Sequence, residues 1–125
     1  MLMNTNSDDY SRSPGKTTIA PGVLLTIARL TTLEVKGVSR MAALPAGVGW
    51  VQKRSQAEGI RIDIEDDRVY ADIYVNLEPD FNVREVSRNI QNEVARAISK
   101  MVGMEVGRIN IHIENIDYLT EKAEA

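Results

Sequence analysis

Two runs of alternating residues, separated by two aspartates, constrain the fold of this chain more than any other feature. In the run Ile60–Glu65 isoleucines alternate with charged residues, and in the run 69–77 apolar residues alternate mostly with polar ones. A period of two predicts β-strands with one apolar face. A two-residue turn at Asp66 and Asp67 places Arg61 opposite Asp72 and puts every apolar residue on one face. A slightly longer turn is the alternative, because Asp adopts positive φ less readily than Gly.

The segment after this hairpin is rich in acidic residues, which raises the question of an acidic active site. Pro79 cannot donate a hydrogen bond to a sheet and therefore ends the strand. Asn82 followed by Glu85 fits a capping box, and the helix that starts there is predicted to end at Gly103. The acidic residues lie at the positive end of the helix dipole, so helix initiation explains them better than an acid–base site.

The remaining elements follow from the same kind of pattern. An earlier helix is predicted to begin at Pro21 and end at Gly37. Its residues at helical spacing are Val23, Leu24, Ile27, Ala28, Leu30, Thr31 and Val35. Strands are predicted at 16–20, 38–44 and 105–118, and a loop at 45–59. This order predicts the α/β (α+β) class, as a two-layer sandwich with a small mixed β-sheet and two helices packed on one face.

Length and composition bound the classes of function. The chain of 125 residues is predicted to form a disordered N-terminal tail at 1–15, a single domain at 16–118 and a frayed C-terminal tail at 119–125. A net charge of −3 gives no general attraction to nucleic acid or anionic lipid. The absence of cysteine excludes thiol catalysis. The lack of a membrane-spanning run and of a signal peptide favours the cytoplasm.

The polar face of the predicted sheet is the most informative surface. Alternation assigns to it Arg61, Asp63, Glu65, Tyr70, Asp72, Tyr74, Asn76, Asn110, His112 and Glu114. Acids outnumber arginine here, a balance that repels phosphate. His112 is the only histidine, and one histidine among solvated acids does not predict a metal site. A solvated face and a protein-contact face are the two interpretations.

The predicted loop contains Trp50 and, with Arg40, Lys53 and Arg54, is locally basic. Such a loop can contact a protein, an anionic membrane or a nucleic acid, or it can be solvated with Trp50 packed on the domain. The sequence contains neither a phosphate-binding loop nor a nucleophile motif beside His112. We therefore expect no enzymatic activity, no cofactor and no metal.

Three segments, in this order, resemble the alkaline shock protein family, also called envelope stress response proteins of the Gls type. They are TTIAPGVLLTIARLTTLEVKGVSRM, GIRIDIEDDRVYADIYVNLE and VSRNIQNEVARAISKMVGMEVGRINIHIENI. The positions that match the family's opening pattern are Ile19, Pro21, Val23, Ile27, Ala28, Val35, Gly37 and Val38. Two stretches depart from that pattern: Ala20–Pro21–Gly22, where Pro–Glu is usual, and SRMAALPAGVGW.

The resemblance implies a non-enzymatic cytoplasmic bacterial protein of the envelope stress response, with no catalytic residues to carry over. It also implies self-assembly, or association with the membrane through an anchored partner. We therefore expect an interaction or scaffold protein for cell envelope homeostasis, a homo-oligomer without a transmembrane segment of its own. The residues expected to bind a protein partner are Trp50, Lys53, Arg54, Tyr70 and Tyr74. The alternative is a small nucleic-acid-binding module that uses Arg40, Lys53 and Arg54.

Overall fold

The computed structural model describes residues 15–44, 55–57 and 59–118, with only the backbone described for 55–57. Within these residues the chain forms two helices and five strands. They are α1 (Pro21–Glu34), β1 (Val38–Met41), β2 (Ser55–Ala57), β3 (Ile60–Glu65), β4 (Arg68–Leu77), α2 (Val83–Val102) and β5 (Glu105–Ile116). Apart from Gly15, the predicted tails 1–15 and 119–125 lie outside the described residues.

The strands form one mixed sheet around β4. β5 runs parallel to β4 along one edge, and β3 and β1 pair antiparallel with successive parts of its other edge. β2 pairs with the far side of β3. The helices pack on one face, which confirms the predicted two-layer sandwich. Because parallel strands need a crossover connection, α2 links β4 to β5.

The junction between β1 and β3 lies beside Tyr74. The Tyr74 N–H donates to the Gly59 carbonyl at 2.7 Å, and the Ala42 N–H donates to the Tyr74 carbonyl at 2.8 Å. Gly59 has φ +75°, and a Cβ there would lie 2.7 Å from the Ala42 carbonyl oxygen. Glycine therefore allows two strands to meet end to end on one edge of β4.

The predicted hairpin is confirmed residue by residue. Arg61 pairs with Asp72, as the alternation requires. Asp66 has φ 53° and Asp67 has φ 64°, so both occupy the left-handed region that a two-residue turn of this type needs. The shorter turn is the correct alternative.

The ends of α2 are also as predicted. The Glu85 N–H donates to the Asn82 side-chain oxygen at 3.0 Å, which satisfies one of the free amides of the first turn. Gly103 ends the helix with φ 79°, and its N–H donates to the Ser99 carbonyl at 3.0 Å. The acidic residues before this helix therefore lie at a helix start.

Three predictions about the other elements are wrong. Residues 16–20 form neither strand nor helix. The predicted loop 45–59 contains β2, which pairs with β3. α1 ends at Glu34, because Val35 is already extended with ψ 131°, and Gly37 with φ 101° lies in the turn that leads to β1.

The core is aliphatic and lies between the helices and the sheet. The two helices contribute Leu24, Ile27, Ala28, Thr32, Val86, Ile90, Val94 and Ile98. The sheet contributes chiefly Ile60, Ile62, Val69, Ile73, Val75 and Leu77. Val23 and Leu30, which share the sequence pattern of α1, are instead 45% and 50% exposed. The apolar surface of α1 is therefore wider than its buried side.

Candidate interaction surface

The face of the sheet turned away from the helices, here called the outer face, is built by strands β3, β4 and β5. Its residues are Arg61, Asp63, Glu65, Tyr70, Asp72, Tyr74, Asn76, Arg108, Asn110, His112 and Glu114. The register places Tyr70 beside Arg108, Asp72 beside Asn110 and Tyr74 beside His112. The alternation predicted all of these residues except Arg108.

Asp72 lies at the centre of the outer face and accepts hydrogen bonds from three side chains. Its Oδ2 accepts from Arg61 Nη2 at 2.7 Å, on the neighbouring strand β3. Its Oδ1 lies 3.1 Å from Asn110 Nδ2 and 3.1 Å from His112 Nε2, both on β5. One carboxylate thus links three adjacent strands.

Burial raises the pKa of Asp72, but the hydrogen bonds from Arg61, His112 and Asn110 together hold that pKa below its ordinary value. Asp72 is therefore a carboxylate near neutral pH and can only accept hydrogen bonds. A hydrogen bond between it and His112 requires the proton to be on His112 Nε2. With its lone pairs engaged by three donors, Asp72 organises the surface and has little tendency to take up a proton.

Aromatic rings extend this network along β4. The rings of Tyr74 and His112 stack with their centroids 4.2 Å apart and an angle of 10° between their planes. Tyr74 is only 6% exposed, so its ring holds His112 in place and leaves little area for contact with a partner. Tyr70, four residues earlier, is half-buried.

The position of Tyr70 depends on a bulge in β5. Val69 pairs with Val106 and Tyr70 with Arg108, so Gly107 is the extra residue. A Cβ at Gly107 would lie 2.5 Å from Tyr70 Cζ, so the ring lies directly over the glycine backbone. The guanidinium carbon of Arg108 is 5.9 Å from the centre of the same ring, at the outer limit of a cation–π contact.

Two concavities open on the outer face. The first, of about 350 Å³, is lined by Arg61, Asp63, Glu65, Tyr70, Ala71, Asp72, Arg108 and Asn110. The second, of about 440 Å³, is lined by Arg40, Met41, Ala42, Ala43, Asn76 and Glu114. The stacked rings of Tyr74 and His112 occupy the positions between Asp72 and Asn76. The surface therefore offers two shallow depressions with polar walls and an aromatic ridge between them.

A second carboxylate fastens the end of β5 beyond this surface. Asp117 is buried and accepts from Ser39 Oγ at 2.7 Å, and Arg40 Nε lies 2.9 Å from the same carboxylate. The hydrogen bond from Ser39 lowers the pKa of Asp117, and burial only partly opposes it. Since Ser39 and Arg40 belong to β1, this contact joins β1 to the end of β5 across β4.

The predicted partner-binding residues are only partly brought together. Tyr70 and Tyr74 share the outer face, whereas Trp50, Lys53 and Arg54 lie outside the described residues. Arg40 lies on β1, and its charge is compensated by Asp117. Arg108 was missed, although it stands two residues before Asn110 and the same alternation would have included it. No sequence pattern indicates the role of Asp117, because its partners Ser39 and Arg40 lie far away in the sequence.

The model of the alkaline shock protein 23 family, described as having a cell envelope-related function, matches residues 9–118. The chain belongs to this family. The resemblance drawn from the sequence is thereby confirmed. A cell envelope-related function is the role that membership supports.

Two relatives within the alkaline shock protein 23 family are uncharacterized proteins of bacteria. YqhY of Bacillus subtilis is 30% identical over 113 residues, which cover 88% of this chain and 83% of the relative. Spy1535 of Streptococcus pyogenes is 35% identical over 103 residues, which cover 82% of this chain and 79% of the relative. Both relatives are thus similar in sequence over most of the domain.

Solved structures support the fold alone. The copper form of the MamM CTD matches with a TM-score of 0.55 at 12% identity, covering 77% of this chain and 86% of that one. A variant of the same domain gives a TM-score of 0.50 at 11% identity, covering 78% of this chain and 100% of that one. At this identity the likeness extends to the arrangement of helices and strands and to no residue of the outer face.

Residues 15–44, 55–57 and 59–118 contain no group of three or more His, Asp or Glu side chains placed to hold a metal ion. Over the same residues, neither helix has the length and apolar character needed to cross a bilayer.

Proposed function

We propose that this protein is a non-enzymatic interaction or scaffold protein of the cell envelope, acting on the cytoplasmic side of the membrane. In this role it self-associates and docks a membrane-anchored protein partner on its outer face. Family membership supports the envelope role. The observation that carries the docking surface is the outer face itself, which both helices leave uncovered.

The charges of the outer face favour a basic partner segment. Its acids are Asp63, Glu65, Asp72 and Glu114, against Arg61 and Arg108, and the charge of Arg61 is already compensated by Asp72 at 2.7 Å. Lysine and arginine are concentrated next to the cytoplasmic ends of membrane-spanning helices. A juxtamembrane segment of an anchored protein therefore has the charge that complements this surface.

The second concavity offers a specific place for such a side chain. Glu114 is exposed at its wall, and the largely buried Asn76 also lines it. The stacked ring of His112 lies nearby on the same strand as Glu114. A lysine or arginine head with an aliphatic stem suits this combination of an exposed carboxylate and a ring surface.

The test is co-sedimentation of the purified full chain with cytoplasmic-membrane vesicles from the producing cells. We expect binding that is lost after trypsin treatment of the vesicles and weakened several-fold between 50 and 500 mM NaCl, as for any charged contact. Glu65→Lys and Glu114→Lys, at opposite ends of the outer face, should each weaken binding at least threefold. Glu93→Lys, the same charge change on α2, is the matched control and should bind as the wild type does.

Three results would overturn the proposal. One is equal binding to vesicles made only of extracted lipids, since the partner would then be lipid. Another is unchanged binding by both outer-face variants. The third is binding that resists trypsin, because a protein partner must be sensitive to it.

A further inference from the structure

α1 exposes an apolar stripe that the domain does not use for its own core. Leu30 is 50% exposed, Val23 45% and Leu33 38%, and Thr26 between them is also exposed. We call Val23, Thr26, Leu30 and Leu33 the α1 stripe. Isolated exposed apolar residues are common on proteins, but four aligned positions along one helix form a continuous surface.

The spacing of the α1 stripe is that of a helix-pairing seam. Its residues are separated by three, four and three positions, which is the a and d spacing of two heptads. At 100° per residue they lie on the side of α1 opposite to the buried Leu24 and Ala28. The stripe is therefore the outermost line of the helix, where a second helix has access.

An exposed apolar line is not a general property of the helical layer, because α2 lacks one. Its exposed positions are polar or charged along the middle of the helix, among them Arg84, Arg88, Asn89, Asn92, Arg96 and Lys100. Its exposed apolar residues, Val83 and Met101, lie at opposite ends and form no line. Of the two helices, α1 alone presents a pairing seam.

We propose that the α1 stripe pairs in parallel with the α1 stripe of a second copy of this chain. Arg29 flanks the stripe on one side and Glu34 on the other, five positions later. With Val23 and Leu30 as a positions of the heptad, Arg29 is a g position and Glu34 is the e position of the next heptad. In a parallel pair of helices, a g position of one helix faces the following e position of the other helix. Two Arg29–Glu34 contacts then form by symmetry. In an antiparallel pair, Arg29 instead faces Arg29 of the second copy and Glu34 faces Glu34, so like charges meet.

The size of the surface sets the expected strength. A helix of 14 residues is about 21 Å long and provides two heptads of contact. Such an interface is below the roughly 1,200 Å² of a stable complex, so we expect dimerisation to be weak and reversible. This inference rests on the self-association in the proposed function and assigns it a surface and an orientation.

Disulfide cross-linking tests the orientation directly, because the chain has no cysteine. Val23→Cys and Leu33→Cys, introduced separately into the full chain, should each form covalent dimers with themselves under mild oxidation. Asn92→Cys, exposed on α2, is the control and should remain monomeric. Cross-linking only when Val23→Cys and Leu33→Cys are mixed would indicate an antiparallel pair and overturn the proposal. So would cross-linking of all three variants to the same extent.

Sedimentation equilibrium across concentration tests the surface without cross-links. Leu30→Glu should weaken dimerisation more than tenfold, whereas Met101→Glu, at the most exposed apolar residue of α2, should leave it unchanged. Arg29→Glu and Glu34→Arg should each weaken it by roughly three- to fivefold, and the double variant should restore it. A wild-type chain that stays monomeric up to 1 mM, or a double variant weaker than either single one, would refute the pairing.

These results are separable from those for the outer face. If the α1 dimer is absent while trypsin-sensitive vesicle binding remains, the pairing proposal fails alone. If Glu65→Lys and Glu114→Lys both keep full vesicle binding while the Leu30→Glu chain is monomeric, the docking surface fails and the α1 stripe stands.

Discussion

The outer face and the α1 stripe are both exposed, yet they are built from opposite kinds of side chain. On the outer face, polar groups bond to one another, and Asp72 alone accepts from Arg61, Asn110 and His112. On the α1 stripe, Val23, Leu30 and Leu33 are apolar. The hydrogen bonds of the outer face order its side chains before any partner binds, whereas the α1 stripe is stabilised only when another surface buries it.

This difference separates two tasks of an interaction protein. Burial of apolar side chains is non-directional and scales with area, so it suits a copy of the same surface related by symmetry. Fixed hydrogen bonds and charges discriminate between partners more than they add affinity. In the two proposals, self-association accordingly belongs to the helical side and partner choice to the sheet.

The largest expected effect tests whether both surfaces depend on one core. Leu24 lies on the buried side of α1. Ile73, which stands between Asp72 and Tyr74 in β4, points into the core. Both side chains are fully buried. Leu24→Ala and Ile73→Ala should each lower the free energy of unfolding by about 2–5 kcal/mol, from lost burial and the cavity left behind. Urea unfolding followed by circular dichroism should show one transition in each variant. Two separate transitions would mean that the surfaces belong to independent units. A loss below about 1 kcal/mol would mean that these side chains are less tightly packed than the structure shows.

Two glycines, one beneath Tyr70 of the outer face and one in α1, give the next effect, with opposite signs. Gly107→Ala introduces a Cβ 2.5 Å from the Tyr70 ring and should lower the free energy of unfolding by about 1–3 kcal/mol. Gly22→Ala, in α1 with no atom near the new Cβ, should raise it by about 0.5–1 kcal/mol through reduced freedom of the unfolded chain. Thermal unfolding measures both. A neutral or stabilising effect of Gly107→Ala would contradict the close approach of Tyr70 to β5.

The smallest expected effect is the dependence of the outer face on pH. The pKa of Asp72 is lower in the folded protein than its ordinary value of 3.8, so its stabilising contribution is present above that value and is lost as the pH falls through the folded pKa. Asp72→Asn should be less stable than the wild type by about 1 kcal/mol at pH 7, and this gap should close on acidification below pH 4.

Urea unfolding at pH 7, 5, 4 and 3 measures the gap between the two proteins. Asp117 titrates in both, so its contribution cancels from the difference. A gap that stays constant or widens between pH 4 and pH 3 would show that the charge of Asp72 contributes nothing to the network.

Local patterns predicted those parts of the fold that depend on neighbouring residues. The register of β3 and β4 follows from alternation on both sides of Asp66 and Asp67, since a slip by one residue would turn every isoleucine outward. The ends of α2 follow from Asn82 and Gly103, whose preferences act within one turn of helix. The outer-face residues follow from the same alternation.

Features decided by distant contacts could not be predicted in this way. β2 is a polar segment of three residues that is a strand only because β3 offers it an edge. The meeting of β1 and β3 at Gly59 depends on which edge of β4 each one joins, and strand order is not encoded in periodicity. The two sides of α1 are both apolar, so the helical pattern could not separate the buried Leu24 from the exposed Leu30.

The placement of both helices on a single face of the sheet has a geometric consequence. It sets the α1 stripe and the outer face back to back, separated by one helix and one sheet, about 20 Å in total. A macromolecule seated on either side does not block the other. In a pair joined through α1, the two sheets point away from each other. The assembly is then a rigid spacer with one attachment point at each end, and it fixes the distance between the two molecules that it holds.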